Sequence, residues 1–286
     1  MLDGTKALAV PLRVGQRFSV YDSPEKTLEW KARSPEGMWF KASLKLPELQ
    51  VLETTNPIYA NRLVSLLKKT KELSHHFVEQ LEHTKVETLL DFNPEYGFGS
   101  SSTLIYGLSR WANIDPYVLQ EQTFGGSGFD IACADAIGPI TFQRIENAVQ
   151  IKNIKLSSEI SDKIYFVYLG KKQQTSQSIQ NFLDNASYSS SDIETITSIT
   201  NEVVKSKSLI EFEILLNEHE KLMSKILNEP TIKSTCFSSL DECVKSLGAW
   251  GGDFVLVTSQ MPKQIFSEQM KKKGFPVNFA YSELFL

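Results

Sequence analysis

The chain has 286 residues, 41% of them hydrophobic and 22% charged, and a formal net charge of −4. That length and composition allow two domains of ordinary size, or one large one, around a sizeable core. The slightly acidic balance argues against a basic nucleic-acid footprint, and no apolar run approaches the length of a membrane span.

The first part of the chain reads as strands. Ala7–Leu12 is apolar, while Arg17–Tyr21 and Thr27–Ala32 alternate between apolar and polar residues. A Pro35-Glu36-Gly37 turn before Met38–Leu44 predicts a hairpin. A helical stripe of Ala60, Leu63, Leu66 and Leu67 begins near Pro57 and is expected to run to Leu81. An extended segment at Glu87–Pro94 follows, then a helical pattern at Thr103–Trp111 and a short helix over Asp115–Gln122. Lys163–Leu169 has the pattern of a buried strand. Helices are expected over Thr175–Asn185, Ser191–Ser206 and Leu209–Leu227, and another opening at Ser238–Glu242. A strand at Phe254–Thr258, a helix from Pro262 to Lys273 and a strand at Asn278–Tyr281 complete the chain. The strand-rich and helix-rich parts divide near residue 155.

Cys133, Cys236 and Cys243 are widely spaced and form no Cys-x-x-Cys pair, which points to a reducing compartment. His75 and His76 are neighbours on a helical pattern and face different ways, so they make a poor metal pair. With no visible signal peptide at Met1-Leu2-Asp3-Gly4, a cytoplasmic location is expected.

Three glycine clusters carry the chemistry. Gly97-Phe98-Gly99-Ser100-Ser101-Ser102 runs into a helix. Glycines let the backbone approach a ligand, and a helix start offers free N–H groups with partial positive charge, so the loop reads as an anion cradle. A plain loop with a serine N-cap is the alternative. It is neither a Walker A loop nor a complete dinucleotide fingerprint. The second cluster, Gly125-Gly126-Ser127-Gly128, leads to Asp130, read either as an acid presented to a substrate hydroxyl or as a helix N-cap. The third, Gly248-Ala249-Trp250-Gly251-Gly252-Asp253, is placed between a helix and a strand. It reads as a backbone wall against a ligand or as a glycine C-cap.

In order and spacing the three clusters resemble the GHMP kinase superfamily. Gly97–Ser102 looks like its phosphate-binding Gly-Leu-Gly-Ser-Ser-Ala motif, with Pro94 as the preceding proline. Gly128-Phe129-Asp130 looks like the Ser-Gly-x-Asp element, and Gly248–Asp253 like the C-terminal Gly-Ala-Gly-Gly-Gly motif, with Trp250 in a glycine position. Gly126–Asp130 and Gly251-Gly252-Asp253 look closest to phosphomevalonate kinases. Gly128–Ala132 also resembles a bacterial subgroup, usually grouped with mevalonate kinases, that has a Gly-Tyr-Asp-Ile-Ala signature.

The resemblance implies an α+β, two-domain GHMP kinase fold. Residues 1–155 would form a ribosomal-protein-S5-like N-terminal domain and residues 156–286 a ferredoxin-like C-terminal domain. It implies ATP and Mg2+ as cofactors and a small-molecule substrate, mevalonate or phosphomevalonate, in isoprenoid precursor synthesis, with no nucleic-acid or membrane partner. Gly97, Phe98, Gly99, Ser100, Ser101 and Ser102 would hold the ATP phosphates. Ser101 would approach magnesium, with Glu121 as a second ligand or an exposed helical acid. Asp130 would be catalytic. Gly128, Gly248, Ala249, Gly251 and Gly252 would line the substrate, and Thr175 would be a substrate-side threonine or an N-cap. A sensor that binds nucleotide without turnover and the related decarboxylase are the competing readings.

The family usually opens with a strand carrying a lysine–glutamate motif. Leu2–Ala9 matches only the tail of that motif, and Lys6 lies elsewhere in it. Truncation is favoured over a real loss of that strand; if the 286 residues were the whole protein, weak or no kinase activity would be expected. A missing first strand would also expose a sheet edge and so favour a homodimer.

Overall fold

A computed structural model describes residues 3–146, 148–170, 182, 184, 186–248, 250 and 252–285. In chain order the strands are β1 (Ala7–Ala9), β2 (Gln16–Asp22), β3 (Thr27–Ser34), β4 (Gly37–Lys45), β5 (Gln50–Thr54), β6 (Thr84–Leu90), β7 (Ile140–Ile145), β8 (Ala148–Asn153), β9 (Ile164–Tyr168), β10 (Val244–Ser246), β11 (Phe254–Thr258) and β12 (Asn278–Ala280). The helices are α1 (Pro57–Leu73), α2 (Phe77–Leu81), α3 (Ser100–Ala112), α4 (Pro116–Glu121), α5 (Phe129–Asp135), α6 (Ser158–Ser161), α7 (Ser190–Lys205), α8 (Leu209–Leu227), α9 (Ile232–Cys236), α10 (Lys263–Lys272) and α11 (Tyr281–Leu284). They form two compact units. One is Val14–Pro94 with Phe98–Asp135; the other is Met1–Arg13, Glu95–Gly97 and Ala136–Leu286.

The first of these units is built on a five-stranded sheet in the order β2-β6-β3-β4-β5. The β3–β6 pair is parallel and the other pairs are antiparallel. Alternation decides which face is buried: Leu28, Trp30, Ala32 and Ser34 of β3 point inward, as do Phe40, Ala42 and Leu44 of β4. The predicted hairpin turn is present, with Gly37 at φ +118. Helix α1 lays the expected stripe of Ala60, Leu63, Leu66 and Leu67 on this face, and its Asn56 cap accepts from the Ile58 and Tyr59 amides.

The single helix expected to reach Leu81 is two. Ser74 takes extended dihedrals and ends α1, and α2 then drops Phe77 into the core against Trp111, ring centroids 4.9 Å apart. Strand β5 had no sequence expectation, because it lies at the sheet edge with little of it buried and so shows no apolar alternation.

The other unit holds a three-stranded sheet, β1-β7-β8, and a four-stranded antiparallel sheet, β10-β11-β9-β12. Tyr165, Val167, Val255, Val257, Phe266, Met270 and Phe237 make the core of the four-stranded sheet. The chain just before β1 is tied to α7 at Lys6. The Lys6 amide donates to Thr197 Oγ1 at 3.2 Å, and the Thr200 hydroxyl donates to the Lys6 carbonyl at 3.0 Å, both threonines lying on α7.

The helix expected to open at Ser238–Glu242 is not formed. Helix α9, capped by Thr231, ends before it at Cys236, after which Leu240 and Cys243 turn into the core and β10 begins. Most of the helix expected over Thr175–Asn185 lies outside the described residues; Phe182 and Asp184 are helical. No helix of the described residues is long and apolar enough to cross a membrane.

Candidate functional site

The phosphate-loop candidate leaves a 3-10 turn at Pro94–Tyr96 and passes through two left-handed glycines, Gly97 (φ +66) and Gly99 (φ +78). Gly99 is the N-cap of α3, and no side chain caps that end. The serine N-cap of the sequence reading is not formed: the serines occupy the first turn. Ser101 is exposed, Ser100 half-buried and Ser102 buried. The first turn carries no acidic residue, so the positive end of the helix is not complemented from within it. Phe98 anchors the loop on Phe92, ring centroids 5.5 Å apart. The Thr103 hydroxyl donates to Gln16 Oε1 at 2.9 Å.

Gly97 is glycine for a second reason besides its dihedral. A Cβ built there would lie 2.0 Å from Asp253 Oδ2. Tyr96, the residue before it, packs against Tyr168, Phe254 and Phe279. The Tyr168 hydroxyl is pushed above its ordinary pKa by burial, then by the charge of Asp253 and others nearby.

Asp130 lies in the first turn of α5, inside the helix rather than at its N-cap. It follows a turn with Gly125, Gly126 and Gly128 all at positive φ. A Cβ on Gly128 would meet the Tyr117 ring at 2.8 Å, so only glycine lets α5 start this close to α4. Asp130 is half-buried, and burial pushes its carboxyl up to about 6. One turn on, Cys133 is pushed up to about 12, first by burial and then by the Asp130 charge, so it is no ready nucleophile. Helix α5 packs on α3, and the Tyr106 hydroxyl of α3 donates to the Asp135 carboxylate at the far end of α5. Helices α3 and α5, which carry Ser100–Ser102 and Asp130, are thus tied to each other, a tie that no sequence motif announced.

Glu121 ends α4 on the surface. Among the described residues, no group of three or more His, Cys, Asp or Glu side chains is placed to hold a metal ion. Lys6 donates from Nζ to Asn201 Oδ1 at 2.9 Å and takes no part in the loop.

The third glycine cluster lies between the antiparallel strands β10 and β11, so it is a hairpin connection and not a helix C-cap. Gly248 (φ +60) is exposed and Gly252 buried. Ala249, Gly251, Thr175 and the Lys171-Lys172 pair lie outside the described residues.

No family model and no curated protein matches the chain. Solved structures do. The Methanococcus jannaschii mevalonate kinase is similar at a TM-score of 0.65 and 17% identity, covering 96% of this chain and 90% of that one. The Streptococcus pneumoniae phosphomevalonate kinase, in complex with phosphomevalonate and AMPPNP, matches at 0.66 and 15%, with 97% and 93% covered. The Lactococcus lactis galactokinase, complexed with galactose, matches at 0.62 and 11%, with 97% and 88% covered. The chain has the α+β fold of the GHMP kinases.

Proposed function

We propose that the chain is an ATP-dependent small-molecule kinase that phosphorylates a hydroxyl or phosphate acceptor, mevalonate first and phosphomevalonate second. One observation carries the reading: α3 begins on a left-handed glycine, with no side-chain cap and no acid in its first turn. Its backbone amides are therefore left to an anion, and nucleotide phosphate is the anion such a turn suits.

The residues fit ATP. Gly97 to Ser102 would hold its phosphates by backbone N–H groups and serine hydroxyls, and ATP would supply the transferred phosphoryl group. The exposed hydroxyl of Ser101 suits a magnesium ion riding on those phosphates, and Glu121 is its second candidate ligand. Gly128, Gly248, Ala249, Gly251 and Gly252 would bound the acceptor.

Asp130 accepts the proton that an acceptor hydroxyl loses as its oxygen takes the phosphoryl group. With a pKa of about 6 it is mostly ionised at neutral pH, and a base poised there suits the task. Positioning and oriented amides supply the rest, as phosphoryl transfer asks little covalent chemistry of the protein. The mevalonate reading rests on the Gly128–Ala132 string, the phosphomevalonate reading on Gly126–Asp130 and Gly251–Asp253, and both on the similarity in fold to kinases of the two substrates.

An ADP-release screen with mevalonate, phosphomevalonate, homoserine and galactose tests the proposal, with Asp130→Ala as control. Acceptor-dependent ADP release that the control abolishes supports it. Undiminished turnover in the control removes Asp130 from its role, and ATP binding without turnover on any acceptor favours a nucleotide-binding homologue instead.

A further inference from the structure

Gln120 carries no sequence motif, yet it holds the turn that leads to Asp130. It is buried on α4, next to the exposed Glu121. Its backbone carbonyl accepts from the amides of Thr123 at 3.1 Å, Phe124 at 3.0 Å and Gly125 at 2.8 Å. Its side-chain Nε2 donates back to the Gly125 carbonyl at 2.9 Å. Both polar groups of Gly125, five positions before the acid, are therefore fixed by one residue.

The orientation of the amide follows from this bond, because the reverse flip would set Oε1 against the Gly125 carbonyl. Oε1 is then buried with no partner. An orphaned buried acceptor is a cost that leucine or methionine would avoid in the same space. What only an amide offers here is the donor to Gly125.

We propose that Gln120 is a positioning residue for Asp130, acting through the Gly125–Gly128 turn. The left-handed dihedrals of Gly125, Gly126 and Gly128 make this turn easy to re-form in other ways. A double lock on Gly125 selects one of them. Gly128 is then seated against Tyr117, one helical turn before Gln120 on α4, and α5 starts at a fixed place. The role in catalysis rests on the proposed function; the positioning itself does not.

The test uses Gln120→Met, which keeps the volume and removes the donor, and Gln120→Glu, which keeps the shape and turns the donor into an acceptor. Circular dichroism selects the variant that stays folded at the assay temperature. Two readouts separate the claims. A carbon-13 NMR titration of the Asp130 carboxyl is expected to move from about 6 in the parent toward the ordinary carboxylate range as the released turn admits water. In the ADP-release assay kcat is expected to fall at least about tenfold, with the KM for ATP unchanged.

A folded variant in which Asp130 titrates as in the parent overturns the proposal. If the titration moves but the parent turns over no acceptor, Gln120 positions Asp130 and the kinase reading is what fails.

Discussion

Replacing Asp130 with asparagine should disable the protein and stabilise it at once. The carboxyl titrates near 6 in the folded chain against an ordinary value of 3.8, and burial is the cause. A raised pKa means that the folded state holds its proton more tightly than the unfolded chain does. Below about pH 4 the group is protonated in both states and costs nothing. Between about 4 and 6 stability falls by about 1.4 kcal/mol per pH unit, and above 6 the loss is complete. The full loss is about 3 kcal/mol by that count, and closer to about 2 kcal/mol once water reaching the half-buried residue is allowed for. Asparagine has nearly the same shape and no charge, so Asp130→Asn should melt about 4 °C above the parent at pH 7.5 and level with it at pH 4. Its turnover should fall by about a hundredfold or more, while the parent rate rises with pH to about 6 and then levels. Paired thermal melts across that range, with the ADP-release assay, make the measurement. Equal melting temperatures at pH 7.5, or an asparagine advantage that persists undiminished at pH 4, would refute the burial argument.

Gly97→Ala should cost about 2–4 kcal/mol in denaturant melts, because it meets both a left-handed backbone and the Asp253 carboxylate. Asp253→Ala in the same chain should recover part of that loss. Gly99→Ala, with nothing within 4 Å, should cost only the about 1–2 kcal/mol of its dihedral. Glu220 is buried and accepts from Lys245 Nζ at 2.9 Å, from the Ser246 amide at 3.1 Å and from the Ser246 hydroxyl at 3.3 Å. Glu220→Ala should therefore cost about 3–5 kcal/mol by leaving the mostly buried Lys245 charge alone, and Lys245→Met added to it should restore much of the loss. Burial lowers the His219 imidazole to about 3, so the folded chain refuses a proton that the unfolded chain takes up near 6.5. Stability from this group is full above 6.5 and falls by about 1.4 kcal/mol per pH unit toward 3. His219→Gln should flatten the acid limb of the stability curve by that slope.

Much of the fold was legible because its core elements carry a period. β3 alternates strictly, α1 repeats its stripe, and α8 spans Leu209–Leu227 as its pattern predicts. What escaped was short or exposed. β5 and β8 lie at sheet edges with most side chains in water, and β10 is three residues long, so none has a period to read. The misreading of Ser238–Glu242 has the same origin, since a stretch whose buried residues answer to tertiary packing imitates a helix start. At the site, sequence could name the serines but not their station, because a serine N-cap and a serine in the first turn look alike in one dimension. It also chose Glu121 over Gln120. Charge draws attention in a sequence, whereas burial on a six-residue helix is decided by the neighbours α1 and α3 that pack on it.

An uncapped helix start is not by itself a phosphate site, and the chain holds its own control. α10 also begins without a side-chain cap and without an acid in its first turn, at Pro262. The helix dipole treats α10 and α3 alike. They differ in the chain that leads in. Pro262 is extended, at φ −57 and ψ 147, and its ring offers no amide of its own. α3 is entered through Gly97 and Gly99, both left-handed, and alternation of left- and right-handed residues is what turns successive N–H groups to one side. Its first turn then adds three hydroxyls to the amides. The site hypothesis therefore depends on backbone conformation more than on charge, which is why the two glycines, and not the serines between which a sequence reader would choose, are the positions where substitution should matter most.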